Sequence, residues 1–440
     1  MKPLRLFTAF HANLDFSALP EADRPLVLAR CYWPLLSLPE QLGIPIGLEM
    51  STRTLETLQS EDPDWVKRFL RLTESGLIEP IGSGRAQIVG PLVPSEINRL
   101  NLRLGADRYA SILGASPRTW LVNEQTWSDG LASLYADVGA ERLVMEWNNP
   151  AARRKELRPL RCRTARVRAA NGSGPVLLWN DSIVFQKVQR VAHGEIPEDD
   201  LRSYVERLGS RSGAVALCLY GGDVEIFDYR PSRRLIGGDE GTEMARLLGL
   251  FERLAADDGY AFVLPRDVPP PNEESEPVAL GSAEDPIPCK KQPRYNPTRW
   301  AVSGRDGLGM NTRCEALLRS ESERGERQQQ PVASHARQHE PTCSVGGGAR
   351  PWGHLGRGPG LEGGGGDDAP SGDRVTRLVA QPSAEGGCGG VKDDGPRTRL
   401  QGRPCGELAR LEPGLGEHYR LAEATPRVDQ AEAAVLVRRR

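Results

Sequence analysis

From the start of the chain to about Pro265, short apolar runs alternate with longer segments of helical period. The runs are Leu4–Phe10, Ile44–Glu49, Leu77–Ile81, Thr119–Val122, Arg142–Trp147, Val176–Asn180, Ala214–Tyr220 and Tyr260–Leu264. Several are apolar throughout, as strands covered on both faces must be. Between them lie helical patterns such as Asp64–Glu74, Ser95–Leu113, Glu198–Leu208 and Glu243–Ala256, several opened by Pro, Ser or Asp at capping positions. Strand and helix in alternation are the mark of βα units around a parallel sheet. The pattern predicts an α/β fold with a closed or nearly closed barrel over residues 1–270.

After Pro265 the texture changes. A Pro- and Glu-rich connector leads to the dense stretch Lys290–Trp300, and residues 271–320 are expected to hold this connector and the start of a C-terminal accessory region. Beyond Ser320 the chain has no Ile, Phe, Asn or Met and includes the run Gly363-Gly364-Gly365-Gly366. Such a sequence buries too little apolar surface to offset its ordering entropy, so residues 321–440 are expected to be a low-complexity, disordered tail. The lost residue types share AT-rich codons, which also fits a GC-rich gene read out of frame after about Leu318. Resequencing across that junction tests the idea; an unbroken frame in independent clones would refute it.

Composition narrows the function classes. The chain of 440 residues carries 57 Lys and Arg against 59 Asp and Glu, a net charge of -2, which supplies no field to gather nucleic acid or an anionic membrane. No run of about 18 apolar residues is present, so no membrane span is expected. The basic, apolar opening reaches His11, Asn13 and Asp15 before a signal-peptide core is complete, and reads as a first buried strand. Eight cysteines without a CxxC pair match neither a disulfide framework nor a zinc site and point to a reducing, cytoplasmic setting.

In a βα barrel the chemistry gathers where strands end, so polar residues just after strands are the ones to inspect. They are His11 and Asn13 after the first strand, Glu124 after Thr119–Val122, and Asp223 with Glu225 after Ala214–Tyr220; Glu79 lies inside the third. Glycoside hydrolysis needs two carboxyl groups across the scissile bond, and Glu124 and Asp223 end two non-adjacent strands. Trp120 and Trp127 near Glu124, and Tyr220, Phe227 and Tyr229 near Asp223, are candidates to stack on sugar faces and exclude water. A buried Glu79 needs a partner, either a sugar hydroxyl or Arg85.

These motifs resemble glycoside hydrolase family 57 over most of the first 320 residues. Phe10-His11-Ala12-Asn13 is similar to the family's His-centred first motif, with Ala-Asn where Gln-Pro is usual. Gly76-Leu77-Ile78-Glu79-Pro80-Ile81 looks like a variant of its Gly-Gln-Leu-Glu-Ile motif. Trp120-Leu121-Val122-Asn123-Glu124 resembles the segment carrying the nucleophile, and Asp223-Val224-Glu225-Ile226-Phe227 its Asp-x-Glu-x-Phe pattern. The two departures place the chain on a divergent branch.

The resemblance implies a (β/α)7-type barrel and a retaining hydrolase or 4-α-glucanotransferase acting on α-1,4-linked glucans, with no cofactor and no metal. It implies Glu124 as nucleophile and Asp223 as general acid/base, with carboxyl groups about 5 to 5.5 Å apart. It places His11, Asn13, Glu79 and Glu225 in the substrate subsite, with Trp120, Trp127 and Trp147 as walls. Trp300 and Asp306 lie where the family's C-terminal contribution to the cleft begins. Two alternatives stand beside this reading. A metal-dependent carbohydrate deacetylase uses a related barrel but needs an Asp and His cluster, and a non-catalytic glucan-binding protein would result if the altered C-terminus leaves the cleft open.

Overall fold

The structure, a computed structural model, describes residues 3–15, 19–170, 172–211, 213–229, 241–281, 309 and 312–320. Its strands are β1 (Leu4–His11), β2 (Ile46–Glu49), β3 (Ile78–Gly82), β4 (Thr119–Leu121), β5 (Arg142–Glu146), β6 (Ala165–Ala169), β7 (Gly172–Asn180), β8 (Ala216–Asp223) and β9 (Tyr260–Phe262). Seven of them, in the order β1-β2-β3-β4-β5-β7-β8 and back to β1, form a closed parallel barrel with helices outside.

The two strands left over explain how the closure works. Strand β1 pairs with β8 along its length, but on its other edge it has two partners in succession. Leu4, Arg5 and Leu6 pair with β9, whereas Phe10 and His11 pair with Leu48 and Glu49 of β2. The barrel is therefore sealed directly only at its carboxyl end, and the last predicted strand pairs with the other end of that edge of β1. Strand β6, absent from the sequence expectation, is antiparallel to β7 and stands off the barrel as the first arm of a hairpin. Its pattern Ala165-Arg166-Val167-Arg168-Ala169 alternates buried with more exposed residues, as a strand covered on one face does.

Alternation also decides what lies inside. Phe7, Ala9, Ile81, Leu121, Val144, Val176, Leu178, Ala216 and Cys218 form one apolar cluster filling the barrel. Residues of opposite parity, among them Leu6, Phe10, Trp120, Leu143, Leu177 and Leu219, belong to the larger cluster shared with the helices. The helix Pro63–Glu74 shows how those helices are specified. Asp62 caps it by accepting from Trp65 N at 3.0 Å, Pro63 occupies its first turn, and Trp65, Val66, Phe69 and Leu72 are its buried face.

Residues after 270 pack against the described fold. Val278 bridges the edge of β6, exchanging backbone hydrogen bonds with Arg166 and Arg168, and Leu280 is fully buried. Asp129 accepts from the N–H groups of Leu280 and Gly281 and ties this strap to the loop after β4. Residues 312–320 are helical, and Leu317 and Leu318 pack against Ala86, Ile88 and Ile97 beyond β3. The expected tail, 321–440, lies outside the described residues, as do Trp300 and Asp306.

Candidate active site

The apolar filling ends two residues before the strands do. One step further along each inward-facing row, the side chain becomes polar: His11, Glu49, Ser83, Asn123, Glu146, Asn180 and Asp223, one from each barrel strand or the residues that follow it. The register confirms the ring, since His11 is level with Glu49 on one side and Asp223 on the other. Asn123 donates to the Ser83 carbonyl at 2.9 Å and Asn180 to the Gly221 carbonyl at 2.7 Å, stitching neighbouring strands at this level.

Seven buried side-chain atoms in and around the ring have no protein hydrogen-bond partner: His11 Nε2, Asn13 Oδ1, Glu49 Oε2, Ser83 Oγ, Asn123 Oδ1, Asn180 Oδ1 and Glu225 Oε2. A buried polar atom left unpaired costs about 1–3 kcal/mol, so such a concentration belongs to a surface built to meet a polar ligand.

The segment after β8 divides its two carboxyl groups by environment. The Asp223 side chain is 57 % exposed, with its Oδ1 3.7 Å from His11 Nδ1. Glu225 is 5 % exposed and faces inward beneath it. Its Oε1 accepts from Asn13 N at 2.6 Å and from the Tyr32 hydroxyl. Tyr32 ends a π-helical turn, Leu28–Tyr32, an irregularity that recurs at functional sites and here delivers Tyr32 to Glu225 and the Cys31 thiol to the Phe227 carbonyl. Burial, and then the nearby Asp223 charge, push the Glu225 carboxyl up to about 7, outweighing the hydrogen bonds it accepts. Burial lowers the proton affinity of His11, but Asp223, Glu49 and Glu225 outweigh it and hold the imidazole above its ordinary range.

Glu124 follows β4 in left-handed backbone, φ 54° and ψ 15°, with its side chain exposed. The next residue, Gln125, is also left-handed at φ 56°. Two such non-glycine residues in succession cost energy, and the neighbouring strand holds them: Gln125 Oε1 accepts from Glu146 N at 2.6 Å.

His11, Asn13, Asp223 and Glu225 thus meet at the carboxyl end, and Glu124 stands at the same end of β4. Glu79 does not join them. It lies four residues before Ser83 on the same face, about 13 Å along the strand at roughly 3.3 Å per residue. There it accepts from Thr119 Oγ1 at 2.5 Å and from Arg266 N at 2.7 Å, while Arg85 pairs with Glu56. Trp120 has the wrong parity for a sugar wall: it is fully buried outside the barrel against Tyr109 and Tyr135, and its Nε1 donates to the Pro117 carbonyl. Trp127 is equally buried and donates to Asp129. Trp147 is half-buried, but the Arg161 guanidinium covers its ring at 4.7 Å. Tyr220 and Phe227 are buried packing residues, and the Tyr220 hydroxyl fixes the turn by donating to the Asp223 carbonyl. The sequence reading passed over Glu49, Gln125 and Tyr32; only Glu49 had a signal, as a carboxyl group ending a predicted strand.

Among the described residues no group of three or more His, Cys, Asp or Glu is arranged to hold a metal, and no helix is long and apolar enough to cross a membrane. Residues 7–180 match the sequence model of Glycosyl hydrolase family 57. A stretch of 118 residues is 24 % identical to an alpha-amylase of Pyrococcus furiosus, covering 27 % of this chain and 18 % of that protein. The fold is similar to a 4-alpha-glucanotransferase from Thermococcus litoralis, with a TM-score of 0.54 at 15 % identity over 74 % of this chain and 48 % of the other. An alpha-amylase from Thermotoga maritima gives 0.53 at 11 % identity, over 76 % and 83 %. At these identities the structural likeness concerns the fold alone, and the chain spans under a fifth of the Pyrococcus protein and about half of the glucanotransferase.

Proposed function

We propose, on the match of residues 7–180 to the Glycosyl hydrolase family 57 model, that this chain is a retaining glycoside hydrolase or transglycosylase acting on α-1,4-linked glucans, with Glu124 as nucleophile and Asp223 as general acid/base. The observation that carries the reading is the polar ring at the carboxyl end of the barrel, whose unpaired buried atoms offer hydrogen-bonding groups of both kinds to a hydroxyl-rich ligand.

In the proposed reaction the Glu124 carboxylate attacks the anomeric carbon as Asp223 passes its proton to the departing glycosidic oxygen. The C–O bond to the leaving sugar breaks and an ester to Glu124 forms. Asp223, now a carboxylate, takes a proton from the incoming hydroxyl, which displaces Glu124. Water as acceptor gives hydrolysis, and a sugar hydroxyl gives chain transfer. Exposure of Asp223 leaves it within reach of substrate and acceptor, whereas the buried Glu225 supports the turn beneath it. Among the described residues Cys31, Cys162, Cys218 and Cys314 form no disulfide, which supports a cytoplasmic setting.

A slow fluorinated glucosyl fluoride tests the nucleophile. Peptide mapping is expected to find one glucosyl unit on Glu124 in the wild type and none in Glu124→Gln. A label elsewhere would reassign the nucleophile. No label, with glucan binding intact, would favour a binding protein without turnover.

A further inference from the structure

The mouth of the barrel holds another carboxyl group, outside every motif that the sequence singled out. Glu49 ends β2, wholly buried, in register with His11, whose other register partner is Asp223. The imidazole therefore sits between a sealed carboxyl group and an open one.

The charges around it are lopsided. Glu49 faces His11 from β2, Asp223 faces it from β8, and Glu225 approaches from the turn after β8. The other titratable groups at this level are Glu146 of the ring, which accepts from the Asn149 amide at 2.6 Å, the Tyr32 hydroxyl, bonded to Glu225, and the Tyr109 hydroxyl, bonded to the Met50 carbonyl. Among the described residues no Lys or Arg lies within 4 Å of Glu49, Asp223 or Glu225. The polar groups that face Glu49 besides His11 are neutral, the Ser83 hydroxyl and the Gln87 amide, the amide at a long 3.5 Å. His11 is thus the sole cation available to these carboxyl groups within the described structure.

We propose that Glu49 is a positioning residue that keeps His11 protonated, so that an imidazolium N–H stays aimed at Asp223 throughout the working pH range. The proposal rests on Asp223 being the acid/base, but its physical core, the coupling of Glu49 to His11, stands apart from that role. Burial alone would drive His11 neutral and also raises the Glu49 carboxyl; the two charges oppose this in each other, His11 drawing Glu49 back down and Glu49 raising His11, unscreened by water. A neutral His11 would leave the Asp223 carboxylate without its only cationic neighbour among the described residues.

The test is a proton NMR titration of the full chain, with the His11 ring signal identified by its loss in His11→Asn. In the wild type its midpoint is expected above the ordinary histidine value. In Glu49→Gln it is expected to fall by about one pH unit, and in Glu49→Asp, whose shorter arm draws the charge back, by less. The basic limb of the kcat/KM profile is expected to move acidward with it, and Glu49→Gln added to His11→Asn to leave that limb where His11→Asn alone puts it. An unchanged His11 midpoint in Glu49→Gln would overturn the proposal, as would a uniform loss of activity with no displaced limb. If the Gln variant does not fold, the Asp variant decides by the same criterion. Asp223→Asn with wild-type kcat/KM would instead refute the acid/base reading while leaving the His11 titration to be judged separately.

Discussion

The side-chain oxygen of Gln125 accepts a hydrogen bond from the backbone N–H of Glu146 at 2.6 Å, and so ties the turn bearing Glu124 to the end of β5. Both Gln125 and Glu124 have positive φ, a region that costs an L-residue roughly 1–2 kcal/mol. Strain of this kind persists where surrounding structure imposes it. Glu124→Gly is therefore expected to leave the protein as stable as the wild type or more stable, by about 0.5–1 kcal/mol, while turnover is lost. Urea unfolding of both proteins checks this, and a Gly variant clearly less stable than the wild type would contradict it.

Glu225 supplies a pH prediction. Its carboxyl titrates near 7 in the folded chain, above the ordinary carboxyl range, so between about pH 4.5 and 7 the folded state holds a proton that the unfolded state has lost. Stability from this group is therefore full at low pH and declines as pH rises through that window, by about 2–3 kcal/mol. Glu225→Gln cannot ionise and should lack this slope while keeping an acceptor for Tyr32 and Asn13 N. Chemical unfolding at pH 5 and pH 8 reads the difference, and parallel pH dependences in the two proteins would refute it.

Much of this was legible in the chain because barrel strands advertise themselves. Leu143-Val144-Met145 and Leu177-Leu178 are apolar on both faces, and seven of the eight predicted strands are the barrel. His11, Asp223 and Glu225, which meet at the carboxyl end of the barrel, follow from one rule, that polar residues after strands share that end. Parity was harder. Trp120 lies beside the candidate nucleophile in sequence yet points to the helices, and Glu79 faces the interior below the apolar layer. A one-residue offset changes the face and a four-residue offset changes the level, and neither is visible without the register. Tyr32 and the β9 insertion depend on contacts between distant segments, for which local pattern carries no signal.

Gly47 marks the place where closure is tightest. A Cβ there would lie 2.3 Å from the Thr8 carbonyl oxygen, 2.8 Å from Pro265 and 2.9 Å from Ile81. The carbonyl is backbone and cannot swing away, so Gly47→Ala must part β1 from β2. We expect a loss of about 2–4 kcal/mol in urea unfolding. A change below about 0.5 kcal/mol would show that the two strands are less closely apposed.

Asp228 caps a helix remote in sequence. Its carboxylate accepts from Glu243 N at 3.1 Å and Met244 N at 2.8 Å at the start of the helix Thr242–Ala255, and Asp228 N donates to Glu243 Oε2 at 2.9 Å. This reciprocal arrangement resembles a capping box assembled across the chain. Asp228→Ala is expected to cost about 1–2 kcal/mol, with Asn restoring part of it. Equal stability of the Ala variant and the wild type would rule the cap out as a source of stability.

Retaining chemistry on α-linked glucans by Glu124 and Asp223 can be followed in a proton NMR time course with a short α-1,4-glucan oligosaccharide. The first product released is expected to be the α-anomer, or chain lengths to redistribute, and Glu124→Gln to abolish both. First release of the β-anomer, or undiminished turnover in Glu124→Gln, would contradict it.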